Sequence, residues 1–176
     1  VLSGPVHGGK TTLLERRLPH WAGRGLACDG FLSPAVTATD GERGYDLVEI
    51  RTGRRWPYLR RQGDPGAERT GPYLFVPATL DLARSIIRDA GSSGLLVVDE
   101  VGPLELGGGG LWPVLRDTME RRGRKLLLVV REEILEDFAA RLTPVVPCIF
   151  DVRDPDVREQ LEAHLFGTAE SHDDQS

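Results

Sequence analysis

Short, wholly apolar runs separated by segments of helical spacing recur along this chain. Leu95-Leu96-Val97-Val98 and Leu126 to Val130 are continuous apolar stretches of the length expected for strands covered on both faces, as in a parallel sheet. Val1-Leu2 reads as the tail of another such strand, Leu26 to Leu32 as a second, partly covered one, and Cys148-Ile149-Phe150 as a short last one. Between them the apolar residues fall at helical intervals. Thr11 to Leu18 opens the series, and Pro77 to Ala90 follows, with Leu80, Ala83, Ile86, Ile87 and Ala90 on one face and proline at its first turn. Residues 111 to 122, 132 to 142 and 156 to 166 complete it. Pro19 with Gly23 to Gly25 is expected to end the first helix, and Gly91-Ser92-Ser93-Gly94 the second. Strands and helices alternating at these lengths predict a three-layer α/β domain with a mostly parallel sheet.

One segment has a different texture. Between Ala35 and Arg61, the alternation in Tyr45-Asp46-Leu47-Val48-Glu49-Ile50, then Thr52-Gly53, then Trp56-Pro57-Tyr58-Leu59, is that of an antiparallel hairpin with one covered face. Residues 62 to 72 are rich in glycine, proline and charge and predict a loop, with Tyr73 to Val76 a short extended piece after it. The expected organisation is one domain over residues 1–166, with 35–76 as a hairpin insertion and 167–176 as a polar, disordered tail. A net charge of −5 and a pI near 5.4 weigh against a protein that grips nucleic acid or an anionic membrane. Arg51, Arg54, Arg55, Arg60 and Arg61 read as solvated positions of the hairpin. Cys28 and Cys148 stand far apart with no neighbouring Cys or His cluster, which argues against a disulfide framework or structural zinc and fits the cytoplasm. No apolar run approaches bilayer-spanning length, and a start at valine instead of methionine suggests trimming or renumbering, in which case part of the first strand would lie outside the numbering.

The chemistry sits where the first strand meets the first helix. Gly4-Pro5-Val6-His7-Gly8-Gly9-Lys10-Thr11 fits the phosphate-loop pattern G-x-x-x-x-G-K-[ST], with Thr12 following. Gly8 and Gly9 allow backbone angles that aim successive N–H groups at phosphate oxygens, and the helix N-terminus adds partial positive charge. Lys10 is expected to reach the β- and γ-phosphates and the Thr11 hydroxyl to ligate Mg²⁺, while the His7 side chain is expected to point away. Only Lys10 and Lys125 are lysines among the 22 basic residues, so one of the two stands where the loop demands it. The pattern implies a nucleoside triphosphate ligand such as ATP or GTP. The run Leu95 to Val98 then delivers Asp99 and Glu100 together. An acidic residue at the tip of a neighbouring buried strand suits the Mg²⁺ site, which assigns Asp99 to the metal. Glu100, pointing elsewhere, is the candidate to orient and deprotonate the attacking water. Arg69 is the candidate to stabilise transition-state charge, and Glu105 reads equally as a site carboxylate or a solvated loop residue.

These residues resemble a known family, the small nucleoside-triphosphatases that include the human cancer-related enzyme and relatives from thermophilic microbes. The resemblance rests on the loop at Gly4 to Thr12, on Asp29-Gly30-Phe31, Gly44-Tyr45-Asp46-Leu47 and Arg69-Thr70-Gly71-Pro72-Tyr73, and above all on Val98-Asp99-Glu100-Val101-Gly102-Pro103-Leu104-Glu105-Leu106. It implies a RecA-like phosphate-loop fold, Mg²⁺-dependent hydrolysis of several nucleoside triphosphates with loose base preference, and Glu100 as the water-activating residue. Two places depart from the family pattern. Leu32-Ser33-Pro34 follows Phe31 where a Glu and an Arg are common, and Arg131 follows the strand at Leu126 to Val130 where a small or hydroxylated residue is usual. Two other functions use the same loop: a small-molecule kinase, which would need an arginine-bearing lid for which Arg60, Arg61 and Arg69 are the candidates, and a nucleotide-dependent accessory protein.

Overall fold

The computed structural model describes residues 1–37, 41–91, 94–120 and 124–167. Its strands are β1 (Leu2–Gly4), β2 (Cys28–Leu32), β3 (Ala35–Thr37), β4 (Arg43–Glu49), β5 (Arg55–Arg60), β6 (Arg69–Thr70), β7 (Tyr73–Phe75), β8 (Leu95–Val101), β9 (Lys125–Arg131) and β10 (Phe150–Asp151). Its helices are α1 (Lys10–Gly23), α2 (Pro77–Asp89), α3 (Pro103–Leu106), α4 (Trp112–Met119), α5 (Leu135–Arg141) and α6 (Val157–Phe166), with a 3₁₀ turn over Glu132–Ile134 leading into α5. All strands join one sheet in the order β10-β1-β9-β8-β2-β4-β5-β7-β6, with β3 alongside β4. From β10 to β2 every pairing is parallel. From β4 outward every pairing is antiparallel, so the hairpin segment extends the same sheet.

The apolar runs are continuous because both faces of the parallel half are covered. Leu96, Val98, Leu128 and Val130 pack with residues of α2, α4 and α5, while Leu95, Val97, Leu127 and Val129 pack with α1 and α6. Helices on both faces make the three-layer α/β architecture.

Three local readings change. Pro19 does not end α1, which continues to Gly23. Leu14, Leu18 and Trp21 form one buried stripe across the proline, and burying such side chains, at ~1.5–3 kcal/mol each, offsets the ~3 kcal/mol cost of an interior proline. The loop at 62–72 contains β6, which is held by β7. The segment after Val101 forms α3, with Pro103 in its first turn, the signal that marks such a start. α2 ends at Asp89, just before the stop expected at Gly91 to Gly94, while Ser92 and Ser93 of that stop, residues 121–122 of the helix expected over 111–122 and residues 168–176 of the tail expected over 167–176 lie outside the described residues. No helix among the described residues is long and apolar enough to cross a membrane.

Candidate active site

The turn between β1 and α1 owes its shape to a few backbone angles. His7 has φ 60 and Gly9 has φ 88, both left-handed, and Gly9 stands at the N-cap of α1 with no neighbour near an added Cβ. Gly8 donates its N–H to the Pro5 carbonyl at 2.9 Å, which closes the turn. Inside it, Lys10 is buried, and its Nζ donates to the carbonyls of Gly4 and Pro5 at 2.8 Å each. The ammonium is thereby fixed within the loop instead of trailing into solvent. Gly4 and Pro5 contribute these carbonyls. Val6, His7, Gly8, Gly9, Lys10, Thr11 and Thr12 line a cavity of about 470 Å³.

Asp99 reaches the loop from β8. The Thr11 hydroxyl donates to Asp99 Oδ2 at 2.7 Å, and the Ser33 amide donates to the same oxygen at 3.1 Å. Asp99 is 1% exposed, and burial pushes its carboxyl up to about 6 against the pull of Ser33, Thr11 and Lys10. Strict alternation is broken at this strand end. β8 and β9 pair through Asp99 with Val129 and then Val101 with Val130, so Glu100 is the extra residue of a bulge. Val98 and Val101 consequently face the same core three residues apart, and Glu100 lines the cavity. The Asp99-Glu100 peptide bond is cis. Glu100 forms an ion pair with Arg131 at the end of β9, and Arg131 lines the cavity too.

The remaining motifs separate into scaffold and lining. A Cβ on Gly30, at φ 104, would lie 1.9 Å from the Val97 carbonyl oxygen, so only glycine lets β2 lie this close to β8. Asp29 accepts from the Gly91 amide, and Asp46 is held by Arg60 and Arg55. Glu105 lines the cavity, yet it is 2% exposed and accepts from the amides of Gly102 and Leu111 at 2.9 and 3.1 Å. Its task is to tie the loop after β8, and burial raises its carboxyl above the ordinary value despite those two donors. Arg69 is not brought to the cavity. Alternation along β6 turns its side chain to solvent and presents Thr70 instead. Tyr45, Arg55, Tyr58, Leu59 and Phe75 also line the cavity, as does Ser33. Of these, Tyr45 falls in the Gly44-Tyr45-Asp46-Leu47 motif and Arg55 reads from sequence as a solvated hairpin position, whereas no motif marks Ser33, Tyr58, Leu59 or Phe75, which the strands from β2 to β7 bring together.

A parallel sheet covered on both faces, with a glycine loop leading from its first strand into a helix and an acidic strand end hydrogen-bonded to that loop, defines a phosphate-loop nucleotide-binding protein. A family profile described as NTPase matches residues 1–165, and the chain belongs to that family. It is 31% identical over 147 residues to the nucleoside-triphosphatase THEP1 of Hyperthermus butylicus, covering 82% of this chain and 77% of that one. It is also 31% identical over 136 residues to the cancer-related nucleoside-triphosphatase of Homo sapiens, covering 72% and 71%. The Bos taurus homologue is 34% identical over 115 residues, 60% of each chain. The solution structure of the human cancer-related nucleoside triphosphatase superposes with a TM-score of 0.69 at 26% identity, over 97% of this chain and 96% of that one. The crystal structure of THEP1 from Aquifex aeolicus, at 18% identity, shares the fold with a TM-score of 0.71, over 94% and 97% of the two chains.

Proposed function

We propose that this chain hydrolyses nucleoside triphosphates, ATP and GTP among them, to diphosphate and phosphate with Mg²⁺ and with loose base preference. The observation that carries the reading is the Thr11–Asp99 hydrogen bond, with Glu100 lining the same cavity as the loop. Residues 88 positions apart in sequence thus meet in one hydrogen bond beside the glycine loop, which supports a shared polyphosphate site. We assign the activity to a single domain over 1–166 that contains the hairpin insertion 35–76, acting in the cytoplasm, a setting that the free thiols of Cys28 and Cys148 support.

Lys10 and the loop amides hold the β- and γ-phosphates. The Thr11 hydroxyl and the Asp99 carboxylate are hard oxygen donors side by side, and no group of three or more His, Cys, Asp or Glu able to hold a metal occurs among the described residues. That donor set suits Mg²⁺, which takes one or two protein ligands and completes its shell with water and phosphate. When bound there, the ion neutralises charge on the β- and γ-oxygens. Glu100 orients a water at the γ-phosphate and takes its proton.

The loose base preference we propose draws support from a second cavity. This cavity of about 500 Å³ shares Gly8, Gly9 and Thr12 with the loop and extends to Asp154 and Pro155, room for the nucleoside half. Its one carboxylate, Asp154, already accepts from the Asp156 amide and from Gln160 Nε2 at the start of α6. A base seated there would meet no free carboxylate to read its N–H groups. The test of hydrolysis is Glu100→Gln, which should retain nucleotide binding while phosphate release falls by about 10²- to 10⁴-fold. Unchanged turnover would reject the assignment. The recess lined by Tyr45, Tyr58, Leu59 and Phe75 favours one other reading, transfer to a small-molecule acceptor. Phosphate release in the absence of any acceptor decides for hydrolysis, and release only on adding one decides for a kinase.

A further inference from the structure

β9 lies between β1 and β8 in the sheet, and it ends at Arg131. Its register sets Arg131 opposite Gly4, the first residue of the phosphate loop, while the bulged end of β8 flanks it on the other side. Arg131 therefore stands on the strand between the one that leads into the loop and the one that carries the carboxylate assigned to the water. Arg131 and Glu100 are each only about a quarter exposed, at 28% and 26%, and both line the cavity that contains Lys10 and Thr11. Arg131 Nε donates to Glu100 Oε1. A guanidinium has five N–H donors in a planar fork, and among the described residues Glu100 is the acceptor Arg131 meets. Both terminal amino groups remain for an anion. Arg69, exposed on β6, does not line this cavity.

We propose that Arg131 binds the γ-phosphate, exchanging Glu100 for a phosphoryl oxygen, and that this exchange frees the Glu100 carboxylate to face the water. The inference rests on the triphosphatase reading above. Its logic is electrostatic: in the nucleotide-free protein each side chain is the other's counter-ion, and a doubly charged phosphoryl group is the stronger partner for a guanidinium fork. A diphosphate ends before the position where the exchange happens, so it leaves the ion pair intact. Arg131 is thus the residue that tells a triphosphate from a diphosphate and arms Glu100 only for the former.

The experiment measures binding of ADP and of a non-hydrolysable ATP analogue, each with Mg²⁺, to the wild-type chain, Arg131→Ala, Arg131→Lys and Glu100→Gln, alongside thermal melts and steady-state turnover of ATP. Loss of one charge-assisted contact predicts that Arg131→Ala weakens the analogue about 10- to 100-fold and ADP less than twofold. Arg131→Lys, a point charge without the fork, should recover part of the analogue affinity. Glu100→Gln removes the competing partner, and its analogue affinity should equal or exceed that of the wild type. Equal weakening of both nucleotides by Arg131→Ala and Arg131→Lys overturns the proposal. So does unchanged affinity with a fall in kcat alone, the mark of a residue that only positions Glu100. A wild-type chain that binds neither nucleotide defeats the underlying triphosphatase reading instead, a result distinct from either of these.

Discussion

Asp99 and Glu100 are neighbours in sequence and differ in everything else. Asp99 is enclosed, with two donors on one oxygen, whereas Glu100 faces the cavity and a guanidinium. Asp99→Asn keeps an oxygen that accepts from Thr11 and Ser33 but removes the charge. The expected outcome is an intact fold, retained nucleotide binding and a Mg²⁺ concentration for half-maximal turnover raised about 10- to 100-fold, read from a metal titration. The cysteines give a second residue-scale contrast. Burial, with the Asp29 charge beside it, pushes the Cys28 thiol up to about 11, while Cys148 is exposed. A raised thiol pKa means less thiolate at a given pH, roughly one part in a thousand for Cys28 at pH 8. Alkylation at pH 8 followed by peptide mass mapping should mark Cys148 well ahead of Cys28. Equal labelling would show that the half-buried Cys28 is not shielded enough to hold its thiol pKa up.

At the scale of elements, the sheet is legible where burial dictates composition and illegible where tertiary contacts override local preference. Leu95 to Val98 and Leu126 to Val130 read as strands because each of their faces meets a helix. The continuation of α1 through Pro19 could not be read the same way, since the offsetting burial of Trp21 depends on partners far along the chain. Strand β6 and helix α3, at two and four residues, are too short to carry a period. Asp29-Gly30-Phe31 was legible as a motif, but its reason lies in the contact between β2 and β8. Gly30→Ala tests that reason. Strain at a left-handed angle, ~1–3 kcal/mol, adds to an overlap with the Val97 carbonyl of similar cost, ~1–3 kcal/mol. The melting temperature should fall by 5 °C or more, on the order of 2–4 °C per kcal/mol for a chain of this size. Glu105→Ala should cost ~2–3 kcal/mol by leaving the Gly102 and Leu111 amides without their acceptor, whereas Glu105→Gln should recover part of it.

Over the whole molecule, the parallel and antiparallel halves of one sheet meet at β2 and β4, and the cavity opens there, lined from both sides. The parallel half supplies the loop, Glu100 and Arg131, and the antiparallel half supplies Tyr45, Arg55 and Tyr58. The first set was largely legible because phosphate chemistry demands fixed residue types at fixed spacing. The second was not, because a lining built by a hairpin carries no spacing rule, and the partnership of Arg131 with Glu100 appears only once β9 lies between β1 and β8. If the cavity takes the polyphosphate and reads the base weakly, ligand stabilisation should depend on phosphate and metal alone. The measurement uses Glu100→Gln, so that nucleotide is not consumed, with Mg²⁺ and each of ATP, GTP, CTP and UTP. At about a hundred times Kd a ligand that binds only the folded chain adds ~2.7 kcal/mol, roughly 5–10 °C in melting temperature. The four shifts should agree within about 2 °C, inorganic tripolyphosphate should give a smaller shift of the same sign, and chelating the Mg²⁺ should remove most of each. A shift confined to one base would mean that side chains around the second cavity read base edges after all, and a shift indifferent to chelation would separate Thr11 and Asp99 from the metal.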